Sequence, residues 1–121
     1  SSNLNYSQRT VSSRTSDGIS IEDLTESMRK NGYDLKKGGA IDAINVDGQL
    51  VSYDNRRLLA AQNAGNIDVP VNVVDPNSAY PKSVKGKTWI DAFKKRFNDI
   101  RNKIEGGVIP DKGLKAKPKC L

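Results

Sequence analysis

The sequence predicts a small α+β domain in which a mixed sheet is flanked by helices. Two strand-like segments that alternate apolar and polar residues are joined by Asp47-Gly48, a strong hairpin turn. Predicted helices lie before and after that pair, over residues 20–32 and 54–65. The chain has 121 residues, which is the length of one domain, and the predicted element order is β-α-ββ-α-β-α.

The first third of the chain predicts one strand and one helix. Residues 1–7 are polar and predict a frayed start, and residues 8–12 predict a short strand. Ser20, with Asp23 three residues later, is typical of a helix N-terminus. Gly32 is the residue expected just after the end of that helix.

The middle of the chain predicts the hairpin, a second helix and a further strand. Residues 41–46 alternate as a half-buried strand does, and residues 49–53 return as its partner. The helix that begins after Tyr53 is closed by Gly65. Residues 69–74 predict a buried strand, and Pro70 indicates that it lies at a sheet edge or that a strand starts there.

The last predicted helix covers residues 88–104 and is amphipathic. We interpret its aromatic residues as core rather than as platforms for base stacking. Residues 105–121 predict a basic tail punctuated by glycine and proline. The whole chain, 1–121, is therefore read as one domain. The predicted apolar stripe of the last helix comprises Trp89, Phe93, Phe97, Ile100 and Ile104.

Two features of the composition exclude whole classes of chemistry. The chain contains no histidine, which removes histidine general bases, Ser-His and Cys-His catalysis, and the usual zinc sites. Cys120 is the only cysteine, so no internal disulfide forms. No apolar run approaches the ~18 residues that a membrane span requires.

The charge is unevenly distributed along the chain. Residues 1–81 hold 8 Lys/Arg and 10 Asp/Glu, whereas residues 82–121 hold 12 Lys/Arg and 4 Asp/Glu. The net charge is +6. A basic end on a near-neutral body predicts a polyanionic partner, either nucleic acid or an acidic protein. The structural alternative is a solvated basic tail.

The most informative motif is the corner "DNRR", Asp54 to Arg57, where a strand turns into a helix. Asp54 is well placed to cap the helix, which would explain it without any catalytic role. Arg56 and Arg57 lie in the first turn, where the helix dipole disfavours cations, so the pair indicates an anion site such as a phosphate. Asp54 would then act as a general base or metal ligand, and Asn55 would orient the substrate or stabilise charge.

The segments ESMRKNGYD, AIDAINVDGQLVSYDNRRLLAAQNAG and VPVNVV, in this order, resemble the ParB/sulfiredoxin superfamily. The resemblance covers residues 8–75 and implies that the corner Asp54–Asn55–Arg56–Arg57 binds nucleotide phosphates, with Ala60 at the helix alanine of that pattern. Asp54 replaces the glycine of the superfamily. Asn55 replaces the catalytic cysteine of sulfiredoxin, which excludes sulfinic acid reduction by that route.

A closer resemblance is to the ParB-like toxin modules at the C-terminal ends of bacterial polymorphic toxins, of the contact-dependent inhibition and Rhs types. It is carried by QRTVSSRTSDG at residues 8–18, by the DNRR corner and by Thr88-Trp89. It implies an antibacterial nuclease domain at the end of a larger secreted protein. Such a domain is delivered into the cytoplasm of a target cell and is neutralised by a cognate immunity protein, which we expect to be acidic.

Further polar residues are candidate substrate contacts, and each has a structural alternative. Gln8, Arg9 and Thr10 would line the site across the sheet, or would belong to a plain polar edge strand. Ser27 would reach a phosphate from the first helix, or would be a solvated helix position. Ser16-Asp17 would contribute a second carboxylate, although a turn is the simpler interpretation.

Further candidate substrate contacts lie in the second half of the chain, and they too have structural alternatives. Lys82, Lys85 and Lys87 would hold a nucleic-acid backbone, or would lie in a solvated loop. Thr88 is the predicted N-cap of the last helix and, with Trp89, a candidate substrate contact. We interpret Asp42 and Asp47 as strand and turn residues rather than as metal ligands, and no metal site is predicted.

These features predict a monomeric nuclease that cleaves RNA of the tRNA class or DNA. With RNA, the 2′-hydroxyl of the substrate is the nucleophile and no cofactor is needed. With DNA, water must be activated, and Asp54 would hold a divalent metal ion. The alternatives are a module that binds or modifies a mononucleotide at the DNRR corner, and a non-catalytic domain that docks an acidic partner. The absence of histidine and of a carboxylate cluster favours RNA.

Overall fold

A computed structural model describes residues 3–14, 18–34, 39–83 and 85–121. A four-stranded mixed sheet with the order β1-β4-β3-β5 lies at its centre. The antiparallel pair β3–β4 is the predicted hairpin, and β1 and β5 each run parallel to their neighbour. The prediction of an α+β domain with a small mixed sheet is confirmed. The strands of the sheet are β1 Leu4–Asn5, β3 Ile41–Val46, β4 Gln49–Ser52 and β5 Val71–Val73.

A second, two-stranded parallel sheet joins the two ends of the chain. It pairs β2 (Thr10–Val11) with β6 (Lys119–Cys120). The predicted strand at residues 8–12 therefore exists in shortened form, but it lies outside the main sheet. Ser16 and Asp17 lie outside the described residues.

The helices are α1 (Ile21–Asn31), α2 (Asn55–Asn63), α3 (Trp89–Phe97) and α4 (Ile100–Glu105). The α1 cap is the predicted one, because the Ser20 side chain accepts the backbone N–H of Asp23. No helix in the described parts of the chain is long and apolar enough to span a membrane.

The main sheet is covered on both faces, whereas its central strand was predicted to be half-buried. Ile41 and Ala43 belong to a core shared with α1 and α2. Ile44, the next residue of β3, belongs to a second core shared with α3 and Ile109. Since successive strand residues point to opposite faces, the sheet separates two helical layers.

The start of the chain differs from the prediction of a frayed segment. Leu4 and Asn5 form β1 and pair with β4, and Leu4 and Tyr6 are buried in the core. The Tyr6 hydroxyl donates to Gln62 Oε1 at 2.6 Å. Burial of two large side chains and a parallel strand pairing outweigh the polar composition of the segment.

The last helix is two helices rather than one. Asn98 ends α3, and the Asp99 side chain accepts the Arg101 N–H at 2.9 Å and begins α4. Trp89, Phe93 and Phe97 are buried as predicted. Ile100 and Ile104 are 65% and 76% exposed, so the predicted stripe ends at the break. Asp99 is a good N-cap, and it starts a new helix.

The predicted basic tail is packed against the domain in the described structure. Ile109 is buried at 2% exposure, and the Ile109 N–H donates to the Phe97 carbonyl at 3.1 Å. Leu114 and Tyr6 exchange two backbone hydrogen bonds, of 2.9 and 2.7 Å. The charged residues of this segment are exposed while Ile109 and Leu114 pack in the second core, which is why composition alone suggested a solvated tail.

Candidate functional site

An open cleft of about 740 Å³ lies beside the first turn of α2. The segment around Tyr80, helix α3 and the end of the chain at Leu121 form its other sides. The charged lining is mainly basic, so positive potential is concentrated in a concave surface. The charged side chains that line the cleft are Arg56, Arg57, Lys82, Arg96 and Arg101, with Asp42 and Asp54.

Asp54 caps α2, as the sequence predicts. Its Oδ1 accepts the Arg57 backbone N–H at 3.2 Å, and its Oδ2 accepts the Arg57 Nε–H. The side chain is still 29% exposed. Because an ionised carboxylate offers about four lone-pair sites, Asp54 can cap the helix and also accept a hydrogen bond from a substrate.

Arg57 lines the cleft and is also held by several protein groups. Its Nε–H donates to Asp54, and its Nη1 donates to the Tyr33 hydroxyl at 2.7 Å and the Gly39 carbonyl at 2.9 Å. These bonds connect the segment after α1 with the start of α2. The arrangement lets Arg57 position Asp54, and the expected phosphate contact of Arg57 stays a prediction.

Asn55 is a buried anchor, with 2% exposure. Its Oδ1 accepts the Ser7 N–H at 2.8 Å, and its Nδ2 donates to Ser7 Oγ at 2.9 Å and to Gln8 Oε1 at 3.0 Å. The amide thus fixes the segment after β1 against α2. This differs from the expected role of orienting a substrate directly, because the amide is committed to other groups of the protein.

Arg56 is the corner residue that remains partly available to a ligand. Its Nη1 donates to the Arg14 carbonyl at 2.7 Å, which holds the side chain beside the cleft. A guanidinium has five N–H donors, so one such bond leaves others for an anion.

Arg96 of α3 is a site residue that sequence reasoning missed. Its guanidinium carbon lies 3.6 Å from the centroid of the Tyr53 ring, and its Nη1 donates to the Tyr53 carbonyl. Burial lowers the pKa of Arg96, but a guanidinium stays charged at neutral pH. The only sequence signal was a basic residue off the apolar stripe of a distant helix.

Aromatic residues form one side of the cleft. Tyr53, Tyr80 and Trp89 line it, with ring centroids 4.9–5.5 Å apart. Burial raises the pKa of Tyr53, and its hydrogen bond to Tyr80 raises it further. The Tyr53 hydroxyl is therefore neutral at physiological pH. We name Tyr53, Tyr80 and Trp89 the aromatic wall.

Some of the other predicted substrate contacts line the cleft, and others lie elsewhere in the structure. Gln8, Thr10 and Lys82 line it. Arg9 donates from Nε to the Gly107 carbonyl at 2.9 Å. Ser27 lies in a separate small cavity beside Tyr33 and Arg57.

The remaining predicted contacts lie away from the lining. Lys85 and Lys87 are exposed, but they are not among the residues of the cleft. Thr88 and Asp91 form a reciprocal capping box at the start of α3, in which each side chain accepts a backbone N–H of the other residue. This is the structural role foreseen for Thr88.

Two carboxylates line the cleft, but they do not make a metal cluster. Asp42 Oδ1 accepts the Asn72 Nδ2–H at 2.9 Å, and Asp54 is paired with Arg57. Within residues 3–14, 18–34, 39–83 and 85–121, no three metal-ligating side chains come together. Compared with known protein families, curated proteins and solved structures, the chain matches none of them.

Proposed function

We propose that the protein is a nuclease that binds RNA in this cleft and cleaves its phosphodiester bonds. A single observation carries the proposal: Arg56, Lys82 and Arg96, which come from three different parts of the chain, line the same cleft as the carboxylate of Asp54. A cluster of cations suits a phosphate, and a carboxylate beside them suits a proton acceptor.

Arg56 and Arg96 are the groups that would hold the scissile phosphate. Arg56 adds its charge to the positive end of α2, which favours an anion. Arg96 is held by the Tyr53 ring and carbonyl, so it needs little rearrangement when negative charge develops. Lys82 and Arg101 would contact neighbouring phosphates.

Asp54 would accept the proton of the RNA 2′-hydroxyl. The 2′-oxygen then attacks phosphorus, the bond from phosphorus to the 5′-oxygen breaks, and the leaving oxygen takes a proton from solvent. The products are a 2′,3′-cyclic phosphate and a 5′-hydroxyl. Arg57 holds the Asp54 carboxylate in place, and Asn55 holds the segment behind it.

The biological setting in the proposal comes from the resemblance to ParB-like toxin modules. In that setting the domain acts in the cytoplasm of a target cell and is neutralised by a cognate immunity protein. Cleavage of DNA instead of RNA would need activated water and a divalent ion at Asp54.

The test is inducible expression in a bacterium, with total RNA and chromosomal DNA run on gels over time. We expect RNA to be degraded while DNA stays intact, and we expect the same cleavage in lysate containing EDTA. Degraded DNA or loss of cleavage in EDTA would favour the metal-dependent alternative. Harmless expression with both nucleic acids intact would contradict the proposal.

Lysine variants provide a matched control for that experiment. Lys82 lines the cleft, whereas Lys85 is exposed and lies outside its lining. Lys82→Gln and Lys85→Gln remove the same charge from the same segment. We expect only Lys82→Gln to slow RNA loss, and equal effects of the two changes would contradict the role of the cleft.

A second candidate function, docking of an acidic protein, is favoured by the exposed face of α4. Ile100 and Ile104 are 65% and 76% exposed and lie one turn apart, next to the exposed Arg101 and Lys103. An apolar patch with basic neighbours suits a partner with an acidic rim.

The candidate for that partner is an acidic protein encoded next to this one. Calorimetric titration with it should give tight binding that Ile104→Asp weakens by about tenfold or more. Val73→Asp, at a 54% exposed position on β5, is the matched control and should leave binding unchanged. Undisturbed binding by Ile104→Asp would place the contact elsewhere.

A further inference from the structure

The aromatic wall has a construction that phosphate binding alone does not require. Tyr80 meets Tyr53 and Trp89 edge to face, at centroid distances of 5.5 and 4.9 Å. Trp89 is 7% exposed, while Tyr53 and Tyr80 are partly exposed beside the cleft. The most buried ring thus supports two partly exposed rings, of which Tyr53 is covered by the Arg96 guanidinium and Tyr80 is the one that a ligand can reach.

Tyr80 is held firmly enough to act as a platform. Its backbone N–H donates to the Lys87 carbonyl at 2.9 Å, and its carbonyl accepts the Ser83 N–H at 3.0 Å. The two ring contacts fix the side chain as well. A planar ligand would therefore meet a preformed surface, with little ordering cost.

Two cations line the cleft together with these rings. The Arg96 guanidinium is stacked over Tyr53, and Lys82 follows Tyr80 by two residues; both line the cleft. Aromatic rings interleaved with arginine and lysine are the pattern by which proteins hold unpaired bases and the phosphates between them.

The size of the cleft limits what can enter. Its volume of about 740 Å³ lies within the ~300–1,000 Å³ of small-ligand pockets. The bases of a duplex are already paired and stacked on one another, so none of them is free to lie on a ring. A strand with an unpaired base can place that base on a ring while its phosphates reach the arginines.

We propose that the aromatic wall is a subsite for one unpaired base, so that the substrate is single-stranded RNA, either free or in a loop. This inference rests on the proposed function, because it places the base next to the phosphate that Arg56 and Arg96 would hold. Tyr80 supplies the stacking surface, and Trp89 and Tyr53 support it.

The experiment uses the whole chain and a short RNA that it cannot cleave. The probe is a single-stranded 2′-O-methyl hexanucleotide, compared with the same strand lacking its bases and with a duplex of the same sequence. Trp89 is the only tryptophan in the chain, so its fluorescence reports on the wall directly. Anisotropy of a labelled probe gives the affinity.

We expect the base-containing single strand to bind about tenfold tighter than the abasic strand or the duplex, and to change Trp89 fluorescence. Tyr80→Leu should remove that tenfold advantage without weakening binding of the abasic strand. Tyr80→Phe keeps the ring and should behave as the original protein does.

Two sets of results overturn the inference in distinguishable ways. If the abasic strand or the duplex binds as tightly as the base-containing strand, or if Tyr80→Leu keeps the tenfold advantage, the base subsite is wrong while the phosphate-binding cleft stands. If none of the probes binds, both the base subsite and the proposed function are wrong. The comparison of the three probes on the unmodified protein decides the question even if Tyr80→Leu does not fold.

Discussion

At the scale of single residues, Asp54 combines a structural and a proposed chemical task. It caps α2 through the Arg57 N–H, and its carboxylate remains partly exposed to the cleft. Asn is as good an N-cap as Asp but carries no charge. A change to Asn therefore separates the two tasks, which a change to Ala does not.

For Asp54→Asn we expect the cap to be kept, so that the loss of the partly exposed charge pair with Arg57 costs at most about 0.5 kcal/mol. We expect the RNA cleavage rate to fall by about 100-fold or more. For Asp54→Ala we expect the same loss of rate together with about 1 kcal/mol of lost stability, since the cap is removed. Urea unfolding and a gel-based rate assay measure the two quantities. Full activity of Asp54→Asn would leave Asp54 as a cap and nothing more.

Asn55 should contribute mainly to the stability of the fold. Asn55→Ala leaves the buried Ser7 N–H without its acceptor, which should cost about 2–3 kcal/mol in the free energy of unfolding. Asn77→Ala, at an exposed position, should cost less than about 0.5 kcal/mol. Similar urea midpoints for the two variants would contradict the anchoring role.

The residues that the sequence predicted at the site are those with a local signal. Asp54 follows a strand and precedes an apolar helix, so its cap was readable from its neighbours alone. Arg96 was missed because its contact with Tyr53 joins positions 43 residues apart. The roles of Arg57 and Asn55 also depended on distant partners, Tyr33 and Ser7, that no local pattern reveals.

At the scale of elements, the segment after α4 belongs to the core. Ile109 is 2% exposed, whereas Ile104 is 76% exposed on α4. Ile109→Ala should therefore cost about 2–4 kcal/mol in the free energy of unfolding, and Ile104→Ala less than about 0.5 kcal/mol. Chemical denaturation of both variants tests this, and equal denaturation midpoints would indicate that the segment is a solvated tail.

Helix α3 should carry a pH-dependent part of the stability. Hydrogen bonds from the Thr88 backbone and side chain lower the pKa of Asp91. A folded-state pKa below the unfolded value of about 3.9 stabilises the protein above that pH and ceases to do so as the pH falls through the folded pKa. The Tm difference between the original protein and Asp91→Asn should thus be present at pH 7 and shrink below about pH 4.

Asp111→Asn, at an exposed position, is the control for that series and should show no such trend. A Tm difference for Asp91→Asn that stays constant from pH 7 to pH 3 would show that the capping box contributes independently of its charge.

Element prediction succeeded where periodicity, caps and turns agreed. The hairpin at Asp47-Gly48 and the α1 cap at Ser20 are examples. The prediction was wrong at Asp99, because this N-cap lies among apolar residues at helical spacing and divides the predicted helix into two. It also failed at β1 and β6, because strands of two residues are stabilised by their partners and not by their own composition.

At the scale of the whole molecule, the net charge of +6 and the basic cleft predict salt-dependent binding of nucleic acid. The affinity for single-stranded RNA should fall steeply between 50 and 200 mM salt, and Lys82→Gln should reduce the logarithmic slope by about 0.7, the value for one contact to a single strand. Lys87→Gln is the matched control outside the cleft. Equal slopes for the two variants would mean that binding depends on the overall positive charge of the protein and not on a lysine in the cleft.

The central claim is that the cleft cleaves phosphodiester bonds, and Arg96 tests it most directly because only the folded structure places that residue there. The measurement is the rate of single-stranded RNA cleavage by the purified protein, Arg96→Gln and the exposed neighbour variant Lys95→Gln, with thermal unfolding as a check on folding. We predict that the original protein and Lys95→Gln cleave at equal rates and that folded Arg96→Gln is slower by about 100-fold or more. Intact RNA with the original protein, or equal rates for all three, would contradict the claim.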